Sequence, residues 1–107
     1  MQRIGFRLKL KKDTLDEYVE RHQSVWPEML DALSSTGWTN YSLFLDREDA
    51  TLFGYFETPD LNAAREGMAA LEVNTLWQSE MENYFEALEG LKPDEGFKTL
   101  ESVFFLA

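Results

Sequence analysis

The sequence predicts an α+β fold with the order βαββαβ. Three observations carry this: strict apolar alternation near each end of the chain, two further alternating segments joined by a short polar turn, and two intervening stretches with apolar residues at helical spacing. Together they match the ferredoxin-like split-βαβ unit, in which four antiparallel strands carry helices on one side. The 107 residues fit one domain, 1–107, with 44% hydrophobic residues and 14% aromatics supplying a core.

The first strand covers residues 3–10, with Ile4, Phe6, Leu8 and Leu10 on one face. Lys11, Lys12 and Asp13 break it, and Thr14 with Glu17 forms a capping-box pattern that starts a helix. Leu15, Tyr18, Val19, His22, Trp26, Leu30 and Leu33 follow at helical spacing. Pro27 removes a backbone donor and disfavours helical geometry at Trp26, so a kink or restart is expected there. Gly37 closes the helix as a left-handed cap.

The second strand spans residues 38–46, placing Thr39, Tyr41, Leu43 and Leu45 opposite Asn40, Ser42 and Phe44. Residues 47–50 form the turn and 51–57 the third strand. Pro59 and Asp60 open a helix that turns Leu61, Ala64, Met68 and Leu71 inward. After a break at Glu72 and Val73, Asn74 is the expected N-cap of a helix bearing Trp77, Met81, Tyr84, Phe85 and Leu88. Gly90 and Pro93 end it, and residues 98–106 alternate as the fourth strand.

Strands three and four are apolar on both faces. Phe53 and Tyr55 oppose Leu52 and Phe56, while Leu100, Phe104 and Leu106 oppose Val103 and Phe105. Helices cover one face of such a sheet, so the other is expected to be buried against a second copy.

Composition excludes several functions. A charge of −10 repels a phosphate backbone. With no cysteine and the single histidine His22, neither a disulfide framework nor an all-protein zinc or iron site is expected, which fits a reducing compartment. No secretory h-region follows the basic N-terminus, and the longest apolar run, residues 103–107, is far too short to span a bilayer; the expectation is a soluble cytoplasmic protein without membrane contact. The acidic residues Glu80, Glu82, Glu86, Glu89, Asp94 and Glu95 read as a solvated face and tail, and Glu17 with Arg21 as a surface ion pair. Phosphate-loop, nucleophile-elbow and calcium-loop patterns are absent.

The strongest chemical constellation is Tyr18, His22, Trp26 and Pro27. Residues four apart share a helix face, so the Tyr18 phenol and the His22 imidazole can point into one pocket, where imidazole exchanges protons near neutral pH. The same spacing also describes an aromatic core stripe with one satisfied histidine, the commoner arrangement. Tyr41 and Trp77 offer flat rings suited to the C–H faces of a sugar, and equally suited to an ordinary core.

The string Glu17, Tyr18, Arg21, His22, Trp26, Pro27, Glu28, followed by Gly37, Asn40 to Asp46, Leu52 to Glu57, Trp77 with Met81, and Val103 to Leu106, resembles the L-rhamnose mutarotase family. The resemblance implies a ferredoxin-like subunit in a dimeric α/β barrel, a homodimer that interconverts the α and β anomers of a monosaccharide, L-rhamnose, without cofactor or metal. It implies His22 as proton donor, acting as an imidazolium, and Tyr18, Tyr41 and Trp77 as sugar contacts. Leu76 stands where the family carries the first tryptophan of a tandem pair, and is taken as a substrate-binding position. The base stays open among Tyr18, Tyr41 and a water. Two rivals share the fold: a cofactor-free monooxygenase or haem-degrading enzyme, and a non-catalytic binding domain.

Overall fold

The computed structural model describes residues 1–86 and 97–107. Its elements run β1 (Gln2–Lys9), α1 (Leu15–Arg21), α2 (Pro27–Ser35), β2 (Thr39–Asp46), β3 (Thr51–Thr58), α3 (Leu61–Ala69), α4 (Glu72–Met81) and β4 (Lys98–Leu100). The sheet order is β2-β3-β1-β4 and every pairing is antiparallel, which is the ferredoxin-like arrangement. Leu88, Glu89, Gly90, Pro93, Asp94 and Glu95 lie outside the described residues.

Strand register sets the two faces. Ile4 faces Phe56, Phe6 faces Gly54 and Leu8 faces Leu52. These side chains project under the helices and are all buried, with Phe56 fully so. Leu43 and Leu45 of β2 continue this face opposite Gly54 and Leu52. The outer face carries Phe44, Phe53 and Leu100, all exposed.

Several local expectations are corrected. Thr14 makes no capping bond to the helix; its hydroxyl donates to the Lys11 carbonyl at 2.8 Å within a 3₁₀ turn (Lys12–Thr14) that runs straight into α1. Glu17 accepts instead from the Tyr84 hydroxyl at 3.0 Å, and Arg21 pairs not with Glu17 but with Glu80 of α4 at 2.7 Å. At Pro27 the restart is complete: Trp26 is extended and Pro27 takes the first helical position, where its missing N–H costs nothing. Gly37 adopts φ 95°, and the Trp38 N–H closes back on the Leu33 carbonyl at 3.0 Å.

The break between α3 and α4 falls at Ala70 and Leu71, two residues before the expected place. Leu71 is extended and caps α4, so Asn74 is not an N-cap. It sits one turn inside the helix, buried, and accepts from Gln78 Nε2 at 3.1 Å. The fourth strand is also shorter than its alternation implies. β4 pairs only Lys98 to Leu100 with Arg7 to Gly5. In that register residue 103 already faces Gln2, the first residue of β1, so the apolar tail runs off the strand that would pair it. Val103, Phe104, Phe105 and Leu106 are consequently exposed.

Candidate active site

Between the sheet and α1, α2 and α4 lies a cavity of about 380 Å³. His22 reaches it from the residue that ends α1, Met29 and Leu33 from α2, Tyr41 and Leu43 from β2, and Asn74, Trp77 and Gln78 from α4.

His22 is fixed by its own helix. Its Nδ1 lies 3.0 Å from the Tyr18 carbonyl oxygen, which also accepts the His22 backbone N–H at 3.3 Å. A carbonyl only accepts, so Nδ1 carries the proton and Nε2 is the basic nitrogen of the neutral ring. Burial is the main cause holding the imidazole below its ordinary pKa. The Tyr18 carbonyl opposes this shift, and the neighbouring Arg21 cation adds to it. The ring lies 4.3 Å from Tyr18 and meets Trp77 edge-on at 5.6 Å between centroids.

Tyr18 itself is not in the cavity wall. It is buried beneath His22, packed edge-to-face against Tyr84 and Phe85. Burial first, and the Tyr41 phenol second, push its hydroxyl far above the usual phenol pKa. Tyr41 does line the cavity, on the inward face it shares with Leu43 and Leu45, and a local irregularity brings Trp38 beside it. Asn40 has φ 48° and the β2–β3 register shifts between Thr39 and Ser42. An extra residue at this point brings Trp38 and Tyr41 to the same face, 5.5 Å apart, where plain alternation would separate them. Trp38 is anchored by its indole N–H on the Ala64 carbonyl at 3.1 Å.

Trp77 is buried, contacts Trp26 edge-on at 5.0 Å and carries the Arg21 guanidinium 5.7 Å above its ring. The Arg21–Glu80 pair thus ties the end of α1 to α4. Leu76, by contrast, is 54% exposed on the outside of α4 and does not line the cavity. The buried arc of α4 is formed by Asn74, Trp77, Gln78 and Met81, and at about 100° per residue Leu76 falls on the opposite side of the helix. Gln78 was not read from the sequence, and Asn74 only as an N-cap. The signal for them was their i, i+4 spacing flanking Trp77.

Among the described residues no group of three or more His, Asp or Glu side chains is placed to hold a metal, and no helix is long and apolar enough to cross a membrane.

The chain is thus a ferredoxin-like α+β domain with a cavity of about 380 Å³ that holds one oriented histidine. Similarity to known proteins narrows this further. A family model described as L-rhamnose mutarotase matches residues 3–106. L-rhamnose mutarotases of Lactiplantibacillus plantarum and Listeria monocytogenes are 38% and 35% identical, over 87% and 100% of this chain and 88% and 100% of their own. The crystal structure of an L-rhamnose mutarotase from Formosa agariphila superposes with a TM-score of 0.81, at 29% identity and full coverage of both chains. An antibiotic biosynthesis monooxygenase structure shares the fold at a TM-score of 0.63 and 15% identity, covering 96% of this chain and 99% of its own. The chain belongs to the L-rhamnose mutarotase family.

Proposed function

We propose that the protein interconverts the α and β anomers of L-rhamnose or a related deoxy sugar, with His22 Nε2 as the proton-transferring atom. The observation that carries this reading is the His22–Tyr18 carbonyl bond, which leaves one oriented, basic ring nitrogen for a ligand in a largely apolar cavity. Ring opening requires loss of the O1 proton and gain of a proton on the ring oxygen. Neutral His22 takes the O1 proton while the Tyr41 hydroxyl protonates the ring oxygen. The C1–O5 bond breaks, the C1–C2 bond rotates, and closure on the other carbonyl face returns both protons. His22 therefore begins the cycle as a base and acts as the donor only during closure, which revises the acid role expected for a resting imidazolium.

At about 380 Å³ the cavity lies near the small end of ligand sites, roughly 300–1,000 Å³, a size that suits a monosaccharide better than a porphyrin. The apolar wall of Met29, Leu33, Leu43 and Met68 suits the methyl group of a deoxy sugar. NMR exchange between the anomer signals of L-rhamnose tests the reading. Exchange no faster than buffer would overturn it in favour of a binding domain.

This reading also gives the pH dependence a definite sign. The active ring is the neutral one, and its pKa is lowered from 6.5. Enzymatic exchange is therefore expected to be flat from about pH 7 upward and to fall on the acid side, with a midpoint below 6.5. An imidazolium-driven enzyme would lose activity through the same range as pH rises, so buffer-corrected exchange rates decide between the two.

We further infer a homodimer through the outer sheet face. Phe44, Phe53 and Leu100 are exposed there, and the tail beside them forms a groove of about 210 Å³ with Arg3 stacked 3.6 Å over Phe105. An uncovered apolar surface of this kind, next to a strand with an open edge, is well satisfied by a second copy. Light scattering is expected to give a dimer mass at micromolar concentration and a monomer when residues 101–107 are removed; a monomeric full chain would sink the idea. The cysteine-free composition supports a cytoplasmic setting.

A further inference from the structure

We propose that Gln78, positioned by Asn74, is a specificity-determining residue that hydrogen-bonds a sugar hydroxyl other than the anomeric one. This rests on the mutarotase reading above and deepens it.

Both amides line the cavity although each is more than nine-tenths buried, with Asn74 at 3% and Gln78 at 8% exposure. An amide buried this far among Trp77, Met68 and Met81 has a high desolvation cost unless its hydrogen bonds are met. Gln78 has two N–H donors and a carbonyl acceptor. One donor goes to Asn74 Oδ1 at 3.1 Å, and among the described residues nothing donates to its Oε1. The bond to Asn74 is one helical turn long, so it orients the longer side chain from a rigid base.

The placement divides the labour of the site. Trp77 lies between Gln78 and His22 in chemical role: its ring meets the imidazole edge-on, and Gln78 is the next residue on the same helix. Gln78 also faces a second small cavity of about 60 Å³ beside Phe6 and Tyr41, at the inner end of the site. His22 handles the anomeric centre, the aliphatic wall takes the methyl group, and a neutral donor–acceptor amide suits the remaining hydroxyls. A carboxylate or ammonium at the same depth would have to be buried as a charge; an amide reads hydroxyls without that cost.

The test compares L-rhamnose with its 2-, 3- and 4-deoxy analogues by NMR anomer exchange, in wild-type protein and in Gln78→Leu, which keeps bulk but removes both polar functions. In wild type, at least one analogue is expected to lose about tenfold to a hundredfold in kcat/KM, the span for leaving a buried polar group unpaired. In Gln78→Leu, L-rhamnose itself should show a similar rise in KM at nearly unchanged kcat, and the penalty for that analogue should vanish. The pH profile set by His22 should not move. Wild-type protein that accelerates exchange equally for all four sugars would overturn the assignment without need of any variant. A variant that folds and still discriminates as wild type does would overturn it too. Should Gln78→Leu not fold, Gln78→Met keeps the length of the side chain and removes both polar functions, and the same loss of discrimination is read there. Failure of the mutarotase reading is separate, since it appears as no acceleration by wild type with any sugar.

Discussion

Replacing His22 with alanine is expected to slow enzymatic anomer exchange by about 10²–10⁴-fold, the usual worth of a positioned acid–base group. The size follows from the lack of a substitute. His22 is the only histidine in the chain, and Tyr18 lies buried beneath it, outside the cavity wall. In the proposed cycle Tyr41 supplies the other proton, and it does not serve both ends of the reaction at once. Loss of the imidazole also removes the ring between Tyr18 and Trp77, so a circular dichroism spectrum and a melting curve must accompany the rates. His22→Gln separates the two effects, because it fills the space and bonds the Tyr18 carbonyl through its amide N–H but cannot carry the proton. Both variants should bind L-rhamnose within a few-fold of wild type while losing the rate. Exchange at the wild-type rate in a folded His22→Gln protein would end the proton-transfer role and leave His22 as a packed core residue.

Much of this site was legible in the sequence because helical and strand periods are local. Tyr18 and His22 at i, i+4 necessarily stack, and the β1 alternation necessarily buries Ile4, Phe6 and Leu8 together. What periodicity misses is where the period is interrupted. Tyr41 reaches the side of Trp38 only because an extra residue at Asn40 shifts the register, and no alternation pattern encodes that. Asn74 has the composition of an N-cap, yet Leu71 takes that position by turning extended, and the Asn74 amide is used inside the helix by Gln78. The alternation of residues 98–106 is real, but the ladder covers only Lys98 to Leu100, and residues 104–106 would lie beyond Gln2, the first residue of β1. Leu76 was read from a family position rather than from its own helix. Its own helix buries Asn74, Trp77, Gln78 and Met81, and Leu76 lies on the side away from that arc.

Gly54→Ala is expected to destabilise the protein by about 1–3 kcal/mol, the usual cost of forcing extra atoms into a packed core. The expected sign is opposite to the general one, since alanine in a strand interior normally gains by restricting the unfolded chain. Gly54 lies in the middle of β3, directly opposite Phe6 and facing the helices. A Cβ added there falls onto the Phe6 ring, well inside van der Waals contact. That ring is held on its other sides by Phe56 at 6.0 Å and Phe97 at 4.4 Å between centroids, so it cannot simply lift away. Its remaining outlet is the small cavity of about 60 Å³ beside Trp38 and Tyr41. Movement in that direction pushes on Tyr41, 6.2 Å from Phe6, and so couples a core defect to the candidate site. A melting temperature roughly 4–8 °C lower per kcal/mol is expected for a domain of this size, together with a raised KM for the sugar. Phe6→Leu in the same chain removes the clash, so the double variant should be more stable than the sum of the two single losses predicts. Strict additivity, or a Gly54→Ala protein as stable as wild type, would mean that β3 shifts to admit the methyl group and that Phe6 does not fix the position of Tyr41.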